Sequence, residues 1–368
     1  MKVLFAGDFS LQGRMLNCSD PGKIESAIGG AVKELTESVD CAVVNYEGAT
    51  TLLQKGILKE GPCLKNPHEA MQALKNLGFD VLALANNHVG DYGPQGVMDT
   101  VGQCSVAGLK YMGAGKDVAS ASAPLFLSGD KKVALLNVCE GESLIATGSS
   151  AGLSPIDLIS LHDRITDLRP AVDYIIVVVH GGVEHYQLPT PEMKRRYRHL
   201  INLGADAVIG HHQHCYCGYE VYRGKPVFYG IGNFFFDRKC AREPWNEGFM
   251  VALTLEDGIG FDLIPYRQCE AEPKISMLPA NAFDDRLATL NGIIEDDTRL
   301  AAEFDKLVSG KKPLVTFQPY SNHYLRELYK RGLFPSMLGK KTLAHMMCHI
   351  ECETHREVLQ NAVSSVLK

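Results

Sequence analysis

Three histidines stand directly after an apolar run, 205–209, in the stretch Gly210-His211-His212-Gln213-His214. His212 and His214 alternate, so both imidazoles can point to one side of an extended segment. Neutral imidazole is the commonest protein metal ligand near pH 7. A loop of solvated or hydrogen-bonded histidines is the plainer reading, and these five residues alone do not separate the two. Four further polar clusters shift the balance. Gly7-Asp8 follows the run 2–6, and Asn45-Tyr46-Glu47-Gly48 follows 41–44. Asn86-Asn87-His88 follows 81–85, and His180-Gly181-Gly182 ends 174–179. These runs lack polar alternation, as strands buried on both faces do. In open α/β sheets the carboxyl ends of strands are where ligands bind. An Asp, a Glu, an Asn-His pair, a His and a His-x-His delivered together point to a site for two metals.

The elements that would carry these groups alternate as strand and helix through residue 120. Helices are expected at 21–39, 67–77, 94–107, 155–168 and 191–203. Pro67 and Pro94 suit first-turn positions, with Asn66 as the cap before Pro67. His68 reads as a surface residue. The helix at 191–203 carries Lys194-Arg195-Arg196-Tyr197-Arg198, which reads as a solvated face or as a surface steering an anionic substrate. After about residue 270 glycine thins and helical patterns take over, at 284–307, 322–331, 340–351 and 355–366. This tail, with Phe317, Tyr320, Tyr324 and Phe334, could cover one end of the molecule, form a homodimer surface or recognise substrate.

Six segments carry a family resemblance. They are GDFSLQGRM (7–15), NYEGATT (45–51), LANNHVGDYGPQGVMDT (84–100), HGGVEHY (180–186), LGADAVIGHHQHCYCGYE (203–220) and YGIGNFFFD (229–237). In order and content the chain resembles the bacterial capsule-synthesis (CapA) and poly-gamma-glutamate-synthesis proteins, relatives of the calcineurin-like metallophosphoesterases. The resemblance implies a four-layer α/β/β/α sandwich over residues 1–270, with 271–368 as a helical C-terminal extension. Strands at 226–229 and 248–255 would close the second sheet. It also implies a ligand set. Asp8, Glu47 and His214 would serve one metal, and Glu47, Asn87, His180 and His212 the other, with Glu47 bridging. His88 matches the superfamily's catalytic histidine. Arg14, Asp91, Glu184 and Glu220 match positions near the site, and Arg14 and Asp91 join His88 as catalytic candidates. The wider superfamily has a histidine where this chain has Ser10, and an aspartate where it has Glu47. The first departure leaves the Asp8 side short of a ligand. His211 is expected to be a bystander.

Composition narrows the function. The chain has 43 acidic and 37 basic residues and a formal charge of −6, which leaves no footprint for nucleic acid. No stretch reaches the roughly 20 apolar residues of a membrane helix. Residues 1–6 show no leader pattern. The 11 cysteines are scattered, which fits a reduced, cytoplasmic setting. Cys217 could face the site as a thiolate ligand. His345, Cys348, His349, Cys352 and His355 could bind zinc, but interleaved Leu343, Met346, Met347 and Ile350 favour an apolar helix stripe. No Gly-x-Ser-x-Gly elbow offers a protein nucleophile. The chemistry expected is therefore a phosphoester hydrolase using one or two Mn, Fe or Zn ions on an anionic small molecule or polymer. Two alternatives stand beside it: a non-catalytic metal-binding accessory of polymer synthesis or export, and a metal-dependent amidase acting on a polymer.

Overall fold

The computed structural model describes residues 1–333 except 58–61, 142–143, 239, 241–243 and 318–322, and of 308–317 it describes the backbone. The chain divides into two compact units, Met1–Leu300 and Ala301–Lys368. The first unit thus runs past the boundary expected near residue 270.

In chain order the first elements are β1 (Lys2–Ser10), α1 (Pro21–Ile28), α2 (Gly30–Glu37), β2 (Cys41–Tyr46), α3 (Glu69–Asn76) and β3 (Val81–Ala83). Next come α4 (Gly93–Ala107), β4 (Lys110–Met112), β5 (Ala114–Gly115), α5 (Val118–Ala121), β6 (Leu125–Ser128), β7 (Lys132–Cys139) and β8 (Gly152–Leu153). They are followed by α6 (Leu158–Leu168), β9 (Tyr174–His180), α7 (Pro191–Leu203), β10 (Ala207–His211), β11 (Tyr219–Tyr222) and β12 (Lys225–Phe228). The unit closes with β13 (Asn233–Phe236), β14 (Glu247–Leu255), β15 (Ile259–Gln268), β16 (Ile275–Met277) and α8 (Asp284–Glu295). Helix α9 (Asp297–Phe317) begins in the first unit and α10 (His323–Lys330) lies in the second.

Two sheets result. The larger runs β16-β15-β14-β1-β2-β3-β4, with β13 also paired to β1. The smaller runs β11-β12-β10-β9-β7-β6. Alternation along each central strand builds the layers. Val3 and Phe5 of β1, Cys41 and Val43 of β2, and Val81 and Ala83 of β3 join one core with Val177, Val179 and Val208 of the second sheet. Leu4, Ala6, Ala42, Val44 and Leu82 point the other way, onto Ile24, Val32, Leu74 and Val97 of α1, α2, α3 and α4. Leu161 and Ile165 of α6 and Leu200 of α7 cover the smaller sheet. Each buried Val, Leu, Ile or Phe among them contributes about 1.5–3 kcal/mol. The expected α/β/β/α sandwich is the structure of this unit.

Several expectations change in detail. Strand β14 belongs to the first sheet, antiparallel to β1, and only β12 joins the second. The helix expected over 21–39 breaks at Gly29, whose φ of 95° is cheap only for glycine. Asn66 is no cap: its side chain holds the Glu47 loop described below, and α3 starts from His68 without a side-chain cap. The helix expected over 284–307 is two helices, because Asp296 Oδ1 accepts from the amides of Thr298 and Arg299 and starts a new one. Helix α8 packs on β11, and Leu287, Leu290 and Ile294 enter the core. The His345–His355 cluster and the helices expected at 340–351 and 355–366 lie outside the described residues.

Candidate metal centre

Parallel β1, β2 and β3 bring Asp8, Asn45 with Glu47, and Asn86 to His88 to one edge of the larger sheet. Parallel β9 and β10 bring His180 and His211 to the matching edge of the smaller, with His212 and His214 following. Close backbone approach makes this edge possible. A Cβ at Gly7 would stand 1.9 Å from the carbonyl oxygen of Gly232, the same oxygen that accepts from the Asp8 amide. His212 and His214 have φ of 100° and 54°, a left-handed conformation that costs side-chain-bearing residues energy. Such strain clusters where geometry serves a site.

Asp8, Glu47 and His180 place one potential ligand atom each within 4.8 Å of one another. Asp8 Oδ1 accepts from Asn45 Nδ2 at 2.8 Å and lies 3.0 Å from His211 Nδ1. Its other oxygen lies 3.4 Å from His214 Nδ1. His180 Nε2 lies 3.0 Å from Asn87 Oδ1 and 3.1 Å from His212 Nδ1. Glu47 is fully buried, and among the described residues neither carboxylate oxygen has a hydrogen-bond partner. Among the described residues, His214 Nε2 lies 3.6 Å and His88 Nε2 3.7 Å from Oε1, too far to hydrogen-bond. Asn66 supports the Glu47 loop from behind, donating to the Glu47 carbonyl at 3.1 Å and accepting from the Leu11 amide at 2.7 Å.

The charges in this cluster shape each other. Burial, reinforced by Asp8, Glu184 and Asp91, pushes Glu47 up to about 8. Burial opposes charge on His214, but Glu47 and Asp8 outweigh it and push it up to about 10. Burial and His214 push His212 down to about 4, and burial with His212 holds His180 well below its ordinary value. Burial disfavours the charge on Asp8, yet the hydrogen bonds from His211 and His214 hold it well below the usual carboxylate range.

These directions set a pH dependence. Glu47 and His214 are raised above their ordinary 4.5 and 6.5, so the native state holds their protons longer than the unfolded chain. The stability they contribute is present at low pH and lost as pH rises toward about 8 and about 10. His180 and His212 act oppositely, and their contribution is lost as pH falls below 6.5. Of these four groups, only the first pair still titrates above that point. The melting temperature of metal-stripped protein should therefore fall between about pH 6.5 and 9. Saturating divalent metal should reverse that slope, because the ligands bind deprotonated. Scanning calorimetry across this range checks it, and a flat or rising metal-free curve would refute it.

The other expected residues fall into three groups. His88 and Asp91 belong together: His88 Nδ1 lies 2.6 Å from Asp91 Oδ2, which also accepts from the Leu64 amide at 2.7 Å. Glu184 is half-exposed; burial raises it, but His214, His212, His185 and His88 together hold it below its ordinary value. Arg14 and Glu220 are engaged elsewhere. Arg14 forks onto Asp237 at 2.7–3.1 Å and reaches the carbonyls of Cys269, Glu270 and Ala271. Glu220 pairs with Arg198 and takes the Tyr229 hydroxyl at 2.6 Å. The structure thus gives Arg14 a loop-clamping position rather than one in the cluster.

Three readings of the sequence need correction. His211 is no bystander but a buried partner of Asp8. The 194–198 run is not a solvated face: Lys194 is buried against the Ile294 carbonyl and Asp297, and Arg196 and Arg198 pair with Glu140 and Glu220. Cys217 Sγ donates to the Tyr186 carbonyl at 3.4 Å, and burial raises its thiol far above the ordinary value. Sequence reasoning also missed Asn45, Asn66 and Asn233, each fully buried and hydrogen-bonded to the cluster or its loops. The signal was present for Asn45 and Asn233, which stand inside the strand-end segments quoted above. No membrane-crossing helix occurs among the described residues.

The chain is similar in sequence to several known proteins. PGA biosynthesis protein CapA of Bacillus subtilis (strain 168) is 29% identical over 281 residues, 74% of this chain and 73% of that protein. Capsule biosynthesis protein CapA of Bacillus anthracis is 28% identical over 277 residues, 73% of this chain and 65% of that protein, so the chain spans just under two thirds of its length. A probable polyglutamine synthesis accessory protein of Mycobacterium tuberculosis is 30% identical over 218 residues, 55% of this chain and 57% of that protein. Among solved structures, a hypothetical protein from Thermus thermophilus gives a TM-score of 0.46 at 16% identity, covering 76% of this chain and 100% of that one. A 5'-nucleotidase from Candida albicans gives 0.44 at 11% identity, covering 84% of this chain and 58% of that one. At those scores the likeness adds nothing to the strand order itself. The family described as bacterial capsule synthesis protein PGA_cap matches residues 2–238, from β1 through β13 and so across every strand end that meets at Glu47, and the chain belongs to that family.

Proposed function

We propose that this protein is a metal-dependent hydrolase of the phosphoesterase type, acting in capsule, poly-gamma-glutamate or other surface-polymer metabolism. Glu47 carries the reading. A fully buried carboxylate with no hydrogen-bond donor is costly unless a cation sits against it. Asp8, Glu47 and His214 would hold one ion, and Glu47, Asn87, His180 and His212 a second. Carboxylate, amide oxygen and imidazole together suit Mn, Fe or Zn. When bound, such ions polarise a phosphoryl oxygen and bring a water to near-neutral acidity. The chain's residues supply the rest. His211 and Asn45 hold Asp8 in place. Asp91 engages His88 Nδ1 and so turns Nε2 toward Glu47, 3.7 Å away. From there His88 would hand a proton to the leaving oxygen. Arg14 is left out of the catalytic set, because its hydrogen bonds go to Asp237 and to the 269–271 carbonyls.

An accessory role without turnover, and amide hydrolysis by the same centre, are the competing readings. The His88–Asp91 pair favours turnover, since ligation of metal does not require it. The test is purified protein with Mn²⁺ against phosphomonoesters, phosphodiesters and γ-glutamyl amides, with metal content measured alongside. Phosphoester turnover supports the proposal. Amide turnover alone selects the amidase, and tight metal without turnover selects the accessory role. Binding itself can be followed optically. Trp245 is the only tryptophan, and its ring lies 5.1 Å from that of His214, so metal at His214 should change its fluorescence.

A further inference from the structure

We propose that Asn233 is the positioning residue that decides which nitrogen of His214 faces the metal, an inference that rests on the metal centre proposed above. Asn233 opens β13 and is fully buried. Its Nδ2 donates to the carbonyls of His214 and Trp245, both at 3.1 Å. Those two bonds fix the amide's orientation, because an exchanged amide would set oxygen against two carbonyl oxygens. Oδ1 is then the atom facing His214 Nδ1, at 2.9 Å. An amide oxygen can only accept, so Nδ1 carries the hydrogen.

The opposite nitrogen is thereby committed. Nε2 points toward Glu47 Oε1, 3.6 Å away. Metal-ligating histidines keep the second ring N–H on an oxygen acceptor, which fixes tautomer and ring orientation together. Asp8 Oδ2 also approaches Nδ1, but from 3.4 Å. The faces of the imidazole are held as well. Phe236 and Trp245 each pack on it with ring centroids 5.1 Å away. The aromatic pair stops the ring tilting, while Asn233 sets its rotation about its own axis. A packing role would need only the shape of Asn233. This role needs an oxygen acceptor at Oδ1.

That difference is testable with Asn233→Leu, which keeps the size and removes the acceptor, and Asn233→Asp, which keeps it. Mn²⁺ affinity is measured by isothermal titration calorimetry. In parallel, ¹⁵N-histidine spectra are recorded on Zn²⁺-loaded wild-type protein, with His214→Ala to assign the signal. Asn233→Leu should weaken Mn²⁺ binding by about 10–100-fold. Asn233→Asp, whose second oxygen must take up a proton to face the carbonyls of His214 and Trp245, should restore part of that loss. The wild type should show a slowly exchanging Nδ1–H of His214. Wild-type affinity in Asn233→Leu, equal losses in both variants, or no Nδ1–H signal would each overturn the assignment. Should Asn233→Leu fail to fold, the wild-type spectrum decides by itself. A wild type that binds no Mn²⁺ sinks the metal centre as a whole; one that binds it, with the variants indifferent to the acceptor, sinks only the role of Asn233.

Discussion

Replacing His180 by alanine should weaken metal binding by more than about 100-fold, beyond the range typical of residues that merely support a ligand. His180 closes β9 with its ring buried among Asn45, Asn87 and His212. Its burial and its histidine neighbours keep it neutral, the form that ligates. His68→Ala is the matched control, since His68 is exposed and pairs only with Glu69. His211→Ala cannot serve as that control, because it removes a partner of Asp8; it should fall between the two. Metal content by mass spectrometry and affinity by calorimetry check the order. Equal metal retention in His180→Ala and His68→Ala would remove His180 from the ligand set.

The second large effect concerns turnover. Replacing His88 by asparagine should lower phosphoester hydrolysis by about 10²–10⁴-fold, the range for losing a general acid. Metal content should stay near wild type, because His88 Nε2 stands 3.7 Å from Glu47 while Nδ1 is taken by Asp91. The acidic limb of the kcat/KM profile separates roles, since loss of a proton donor alters it and loss of packing does not. Loss of metal together with activity would make His88 a ligand. Unchanged activity would take it out of the chemistry.

Much of this was legible in the sequence, and the failures have identifiable causes. Unbroken apolar runs such as 174–179 marked strands buried on both faces, and a chemistry-bearing residue followed each one. Helix α4 was readable from Pro94 at its start, and the structure ends it at Gly108, with φ of 69°. What a strand's own residues do not encode is its partner. Strand β14 was expected to close the second sheet, yet it returns to pair with β1. Charge in the run 194–198 misled for another reason. Five consecutive residues on a helix span more than a full turn, so Lys194 and Tyr197 face inward while Arg195 faces out. His211 was set aside because it precedes the His212 and His214 pair that the family resemblance matches. The segment after it is not extended, since β10 ends at His211 and His212 and His214 have positive φ, and His211 meets Asp8.

Asp8 and His211 are 203 positions apart, and His180 and Asn87 are 93 apart. Contacts of such span close late, after the entropy of a long loop has been overcome. The first 179 residues of a growing chain carry Asp8, Glu47, Asn87 and His88 but none of the imidazoles at 180, 211, 212 or 214. With the metal centre proposed above, no nascent half would hold the full ligand set, and metal would not template the early fold. It would act instead as a rivet set last, through two plates already formed. Withdrawing it should loosen the seam between the sheets before either sheet itself, so exchange of amides near Asp8 and His180 would be the first sign of a chain that has lost its cargo.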